Sequence, residues 1–281
     1  MVDRREEIRR LLRLTPAQML RMAKGRLKIY KDLDALHRAL AETIADEIAT
    51  NNRKGRHTNL ILPVGPTGQY PILAELVNER GISMKKCNLF FMDENCDPDG
   101  RCLPPTHPLS FRHEAHELFF SRLDKRLAPP PSRVIFPSHD NIHTLADKIR
   151  RAGGIDTCYG GIGIHGHLAF NEPEPGVSKL GPRLVYLNDF TVTINAIRSE
   201  VGGNLEGFPR KAVTLGMREI LSSRRIVLGC RNGIPLDWAN TVLRLALFGE
   251  PGDDYPVTHI RGKNYLIMTD EDTARCPKHI L

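Results

Sequence analysis

Gly160-Gly161-Ile162-Gly163-Ile164-His165-Gly166-His167-Leu168-Ala169-Phe170-Asn171-Glu172-Pro173 is the stretch on which the reading of this 281-residue chain turns. The run before it, residues 155–159, reads as a buried strand, and Gly160, Gly161 and Gly163 end that strand in backbone free to take positive φ. His165, His167, Asn171 and Glu172 then follow close together at the strand's carboxyl end, where open α/β sheets place their ligands. The active site is expected here.

Upstream, a strand over 59–64 runs into Gly65-Pro66-Thr67-Gly68 and a helix over 70–80 stopped by Gly81. A second unit has a strand over 88–92 that delivers Asp93 and Glu94, a Pro-rich surface loop to Pro108, a helix over 109–127, a short strand over 134–136 and a helix over 142–152. Downstream, strands are expected at 184–187, 225–229 and 265–268, a helix or turn-helix at 212–221 and a helix at 237–248. Toward the N-terminus, residues 28–30 suit an edge strand, and Leu33, Leu36, Leu40, Ile44 and Ile48 repeat at helical spacing. This alternation predicts an α/β fold, a mainly parallel sheet covered by helices on both faces. Residues 1–25 read as an N-terminal helical extension, with Thr15 and Gln18 forming a capping box, Pro16 suiting the first helical position and Gly25 ending the run; residues 26–281 form the α/β domain.

Composition narrows the function classes. With 41% hydrophobic residues the chain can bury a substantial core, no apolar run approaches the roughly 20 residues of a membrane span, and the N-terminus lacks the apolar core of a signal peptide. A soluble, cytoplasmic protein is expected, with no membrane partner. Six cysteines without CxxC spacing are expected as free thiols, with no structural zinc. The net charge of +7 is concentrated in residues 1–60, where fourteen Lys and Arg face eight Asp and Glu. Those charges are interleaved with acids on an apolar helical pattern and no aromatic stacking set accompanies them, so a solvated helical face is expected rather than a nucleic-acid site.

Asp93 follows a buried strand directly, a position that holds a carboxylate rigid and partly desolvated as a general base; the same Asp-Glu pair would also open an ordinary solvated loop. His167, between two glycine turns and an apolar segment, suits either a hydrogen-bonded structural residue or a proton carrier, and Glu172 five residues on is placed to fix its tautomer. No G-x-S-x-G occurs and no cysteine adjoins these histidines, which argues against covalent hydrolysis. Gly65, Thr67 and Gly68 precede a helix and offer backbone N–H groups and a hydroxyl to a phosphate.

Phe91-Met92-Asp93-Glu94, His107-Pro108-Leu109-Ser110-Phe111 and the segment from Gly161 to Pro173 together resemble the glucosamine-6-phosphate deaminase (isomerase) family, in the family's order and spacing, over about residues 26–275. The resemblance implies a single modified Rossmann-like domain that converts an amino-sugar phosphate to a ketose phosphate and ammonia, without a metal or organic cofactor; it allows for a homo-oligomer. By similarity Asp93 would shuttle a proton between C2 and C1, and His167 would assist ring opening with Glu172 holding it. Gly65, Thr67 and Gly68, helped by Arg198, would take the phosphate.

The chain departs from the family in three places. His165 stands where the family's Gly-x-Asp-Gly-His has an acidic residue, Asn232 stands at the position of a late lysine with Arg231 beside it, and Val64 and Pro66 alter the phosphate turn. Two other functions are therefore weighed: a catalytically weakened sugar-phosphate sensor, and hydrolysis of a phosphogluconolactone, whose enzymes share the fold and the Gly-His.

Overall fold

Short apolar runs are separated by stretches in which apolar residues recur with helical period, and the computed structural model, which describes residues 3–232 and 237–281, turns that pattern into interleaved strands and helices. The first half contains α1 (Arg5–Leu12), α2 (Pro16–Ala23), β1 (Leu27–Tyr30), α3 (Leu33–Arg53), β2 (Thr58–Leu62), α4 (Gln69–Glu79), β3 (Cys87–Phe91), β4 (Asp93–Cys96), α5 (Phe111–Leu118), β5 (Val134–Ile135) and α6 (Leu145–Arg151). The second contains β6 (Thr157–Gly161), β7 (Arg183–Tyr186), α7 (Asp189–Arg198), β8 (Lys211–Thr214), α8 (Met217–Leu221), β9 (Arg225–Cys230), α9 (Ala239–Phe248), β10 (Tyr265–Asp270) and α10 (Glu271–Ala274). Among the described residues no helix is long and apolar enough to cross a membrane.

Seven strands form one parallel sheet in the order β1-β10-β9-β6-β2-β3-β5. Period-two alternation sends successive residues to opposite faces. Ile61, Phe90, Cys158 and Leu228 join the core beneath α2, α6, α8 and α9, while Leu60, Phe91, Tyr159 and Val227 join the one beneath α3, α4 and α5. The sheet is thus covered on both faces, the Rossmann-like α/β arrangement expected from the sequence.

Three local expectations give way to tertiary contacts, and one helix forms where none was expected. The loop after β3 begins instead with β4, which pairs antiparallel with β8, and β8 with β7, in a separate three-stranded sheet. The segment expected as a helix over 212–221 supplies β8 first, then α8 after Gly216. The helix expected over 109–127 stops at Leu118, because Phe119 leaves helical geometry (φ −129°) and its buried ring packs on Tyr70 and Phe120. Finally, α7 occupies a stretch to which the sequence reading assigned no element; Asn188 caps it by accepting the Thr191 N–H.

Residues 3–25 pack into the same body. The Thr15–Gln18 capping box forms, Met19 and Ala23 of α2 enter the core, α1 lies on α9, and Arg4 pairs with Asp254 and Glu7. Arg244 of α9 is fully buried and donates to the carbonyl oxygens of Leu14, Asn240, Ala274 and Arg275.

After β2 the chain builds β3 and β5 on one side, then crosses to build β6, β9 and β10 on the other, where β10 pairs with β1 laid down earlier. A crevice opens at such a switch point, at the carboxyl ends of β2 and β6. The turns there approach closely: a Cβ on Gly161 would lie 2.5 Å from the Gly65 carbonyl oxygen and 2.9 Å from Pro66. Gly161→Ala must push the two turns apart, and overpacking of this kind costs about 1–3 kcal/mol. The expected outcome is a lower urea midpoint at unchanged slope; an unaltered midpoint would show that the turns yield freely.

Candidate active site

The crevice is a cleft of about 730 Å³, lined by Gly65, Thr67, Asp93, His167, Arg198 and Arg231 among others. Its walls come from the turns after β2, β3, β6 and β9 and from α7, so residues far apart in sequence meet there.

Asp93 stands at the junction of the two sheets. Met92 still belongs to the parallel array, its N–H donating to Leu62 at 3.0 Å, and its carbonyl accepts the Leu215 N–H at 2.7 Å; Asp93 then opens β4 opposite Thr214. The Asp93 carboxyl faces the cleft yet is only 6% exposed. Burial, and after it the charge of Glu94, holds it well above the ordinary 3.8. Glu94 is also buried, and its carboxylate accepts from the N–H groups of Asn95 (2.9 Å), Phe111 (2.8 Å) and Arg112 (2.9 Å) and from the Ser110 hydroxyl (3.1 Å). Burial raises its pKa, and the bonds from Arg112, Phe111 and Ser110 offset part of the rise. Neither acid opens a solvated loop.

His167 is laid against backbone: a Cβ on Gly163 would fall 1.8 Å from His167 Nε2, so only glycine admits the ring. Its Nδ1 lies 3.5 Å from Glu172 Oε2 and 3.5 Å from the Thr191 hydroxyl. Burial by itself would raise Glu172, but hydrogen bonding to His167, the charge of that ring, and smaller effects of Thr191 and His165 bring the carboxyl below its ordinary 4.5. The Asn188 amide donates to Glu172 Oε2 at 2.7 Å and lies 3.3 Å from His165 Nδ1. Burial depresses His165, Glu172 opposes this, and His167 adds to it, so the ring stays neutral near pH 7. His167 lines the cleft, whereas His165 and Glu172 stand behind it.

Among the described residues, His165, His167 and Glu172 form the group with metal-ligand chemistry, their donor atoms within 4.8 Å of one another. Glu172 Oε2 already accepts from the Asn188 amide, which also reaches toward His165 Nδ1, so the donor atoms of the trio are engaged with the protein.

The cleft also carries two cations. Arg198, the last residue of α7, and Arg231, just past β9, both line it. Burial, then repulsion from Arg231, brings Arg198 down to about 10, and burial likewise lowers Arg231. The Arg198 guanidinium lies 5.0 Å from the centre of the Trp238 ring. Gly65 and Thr67 face the same space, but Gly68 lies outside the lining and rests on His37, whose Nδ1 would be 2.2 Å from a Cβ there. Burial and the charge of Arg231 push His37 down to about 4, leaving it neutral.

Asn232, which the sequence placed at the position of the family's lysine, is turned into the protein. Its side-chain oxygen accepts the N–H groups of Trp238 (3.1 Å) and Ala239 (2.8 Å) at the start of α9, and its amide donates to Asp272. From this segment the residue that lines the cleft is Arg231, which sequence reasoning noted only as a neighbour. Sequence reasoning also missed Glu114, whose pKa burial raises against a hydrogen bond from Thr67, together with Thr191 and Asn188 behind His167. Asn188-Asp189 is a helix-start signal, but nothing in it points to His167.

No protein-family model matches the chain. A glucosamine-6-phosphate deaminase of Caenorhabditis elegans is 30% identical over 210 residues, 72% of this chain and 74% of that protein. Among solved structures, a monomeric glucosamine-6-phosphate deaminase superposes with a TM-score of 0.77 at 24% identity, over 89% of this chain and 98% of the other. The 6-phosphogluconolactonase of Thermotoga maritima follows the same fold at 0.63 and 19% identity, over 87% and 98%. The breadth of the sequence match, together with a cleft that joins Asp93 and His167, makes this chain a member of the glucosamine-6-phosphate deaminase family.

Proposed function

We propose that the chain isomerises and deaminates an amino-sugar phosphate, converting glucosamine 6-phosphate or a close analogue to fructose 6-phosphate and ammonia. The observation that carries this reading is a single cleft lined at once by a desolvated carboxyl, Asp93, an imidazole, His167, and two guanidiniums, Arg198 and Arg231. A phosphate dianion relieves the repulsion between the two guanidiniums, with Gly65 and Thr67 completing its cradle and Gly68 shaping the turn from behind. His167, held by Glu172, passes a proton to the ring oxygen as the sugar opens. Asp93 then takes the proton from C2 and returns it at C1, leaving a C2 imine that water hydrolyses to the ketone and ammonia. His165, through Asn188, supports Glu172. No cofactor enters any step.

On this proposal residues 26–281 form the catalytic domain, residues 1–25 are an N-terminal addition braced against it, and the protein works in the cytoplasm on a small sugar phosphate, with neither nucleic acid nor membrane as partner. The weakened-sensor reading is favoured by one feature, the neutral His165 in place of an acid. Ammonia release from glucosamine 6-phosphate, assayed beside other sugar phosphates and 6-phosphogluconolactone, separates the readings. Ammonia with fructose 6-phosphate is expected; binding without turnover would support the sensor, and lactone hydrolysis alone the hydrolase.

Asp93→Asn keeps the shape but cannot accept a proton. Exchange of solvent deuterium into the sugar should fall by about 10²- to 10⁴-fold while substrate binding persists. Undiminished exchange would remove Asp93 from the mechanism.

The same substitution should stabilise the protein, in a pH-dependent way. A carboxyl whose folded pKa lies above its unfolded value binds its proton more tightly when folded, so its ionisation destabilises the native state. The melting temperature of Asp93→Asn should match that of the unsubstituted protein below about pH 4, exceed it increasingly as pH rises above the unfolded value, and level off past the folded one. A gap independent of pH would contradict this account.

A further inference from the structure

Cys96 ends β4, and the turn that follows brings Cys102 back directly opposite it in an antiparallel bridge. The flanking hydrogen bonds fix the register: the Asp97 N–H donates to Arg101 at 2.8 Å and the Leu103 N–H to Asn95 at 2.9 Å. Cys96 and Cys102 are therefore a non-hydrogen-bonded pair, the position where facing Cα atoms come to roughly 4.5 Å, inside the range of about 4.4–6.8 Å that a disulfide spans. Their sulfurs lie 3.9 Å apart. Cys96 is buried against Ile142 and Val213, while Cys102 is half-buried beside His139, whose Nδ1 accepts the Cys102 N–H at 3.1 Å.

We propose that Cys96 and Cys102 are a reversible dithiol–disulfide pair, oxidised by a hydroperoxide and restored by a dithiol reductant, that fastens the strand carrying Asp93 to the segment leading to His107 and Leu109. Cys102 is half-buried where Cys96 is buried, so a peroxide reaches it first, and the hydrogen bond from Cys96, helped by His139, lowers its pKa despite its burial; Cys102 is the nucleophile of the pair. The Cys102 thiolate attacks the terminal oxygen of the peroxide, the O–O bond breaks, and the departing hydroxide or alkoxide takes a proton. The Cys102 sulfenic acid is then attacked by the Cys96 sulfur; the S–O bond breaks, and the leaving hydroxide takes the Cys96 proton as water. Two thiols are oxidised and one peroxide is reduced. The reductant reverses the change by supplying two electrons and two protons. The register already holds the two backbones together, so closure requires mainly side-chain rotation.

The test uses the full chain, reduced, desalted and treated with hydrogen peroxide. The expected result is an intact mass lower by two hydrogens, a tryptic cross-link between Cys96 and Cys102, and a melting temperature raised by a few degrees, all undone by dithiothreitol. Cys102→Ser, a change at a half-buried side chain, should abolish the mass loss, the cross-link and the shift together. If Cys96→Ser fails to fold, Cys102→Ala serves as the second control. A cross-link between other cysteines, advance of Cys102 to the sulfinic acid without a cross-link, or no reaction would each overturn the proposal.

Discussion

The buried carboxylate of Glu94 holds the catalytic side of this molecule together. It gathers the N–H groups of Asn95, Phe111 and Arg112 and the Ser110 hydroxyl, clamping the first turn of α5 to β4, where the positive end of the helix favours a negative charge. Asp93, its neighbour in the chain, points to the other face of the strand and into the cleft. Two adjacent carboxyls are thus driven apart in character: donors offset Glu94's burial, while burial and Glu94's own charge both push Asp93 toward the protonated form. In the proposed mechanism, the interaction that fixes the wall also prepares the base.

The central sheet was legible because its strands are apolar runs ended by glycine or proline turns, and Gly161, Gly163 and His167 announced the crevice. What was not legible depends on partners distant in sequence. Residues 211–214 carry no strong strand signal of their own, and only pairing with β4 and β7 makes them a strand. Asn188 and Thr191 reach His167 and Glu172 through the placement of α7, which no local pattern encodes. Asn232 aligned with a lysine by position, but its role in capping α9 is set by the backbone direction after β9, and Arg231 faces the cleft instead.

The departure at His165 is compensated within the fold. A neutral imidazole cannot charge His167 as an acidic residue would, yet the Asn188 amide ties Glu172 firmly in place beside the ring. The site therefore relies on one carboxylate and a neutral hydrogen-bonded scaffold. The cleft also holds two buried guanidiniums, Arg198 and Arg231, and the charge of the second depresses the first. Both arrangements sacrifice stability locally and are sustained by the large, uniformly buried faces of the seven-stranded sheet.

The fully buried guanidinium of Arg244 has a bearing on how the protein would come apart. It joins carbonyl oxygens from the loop before α2, from α9 and from the end of α10 and the residue after it, so a buried charged group would lose one of its acceptors, the Leu14 carbonyl, if the N-terminal helices left. The turn at Lys24-Gly25-Arg26 is exposed and offers a trypsin-like protease two basic residues. A cut there would nick the chain without dividing the particle: the two fragments would migrate together in native gel filtration and separate only in denaturant.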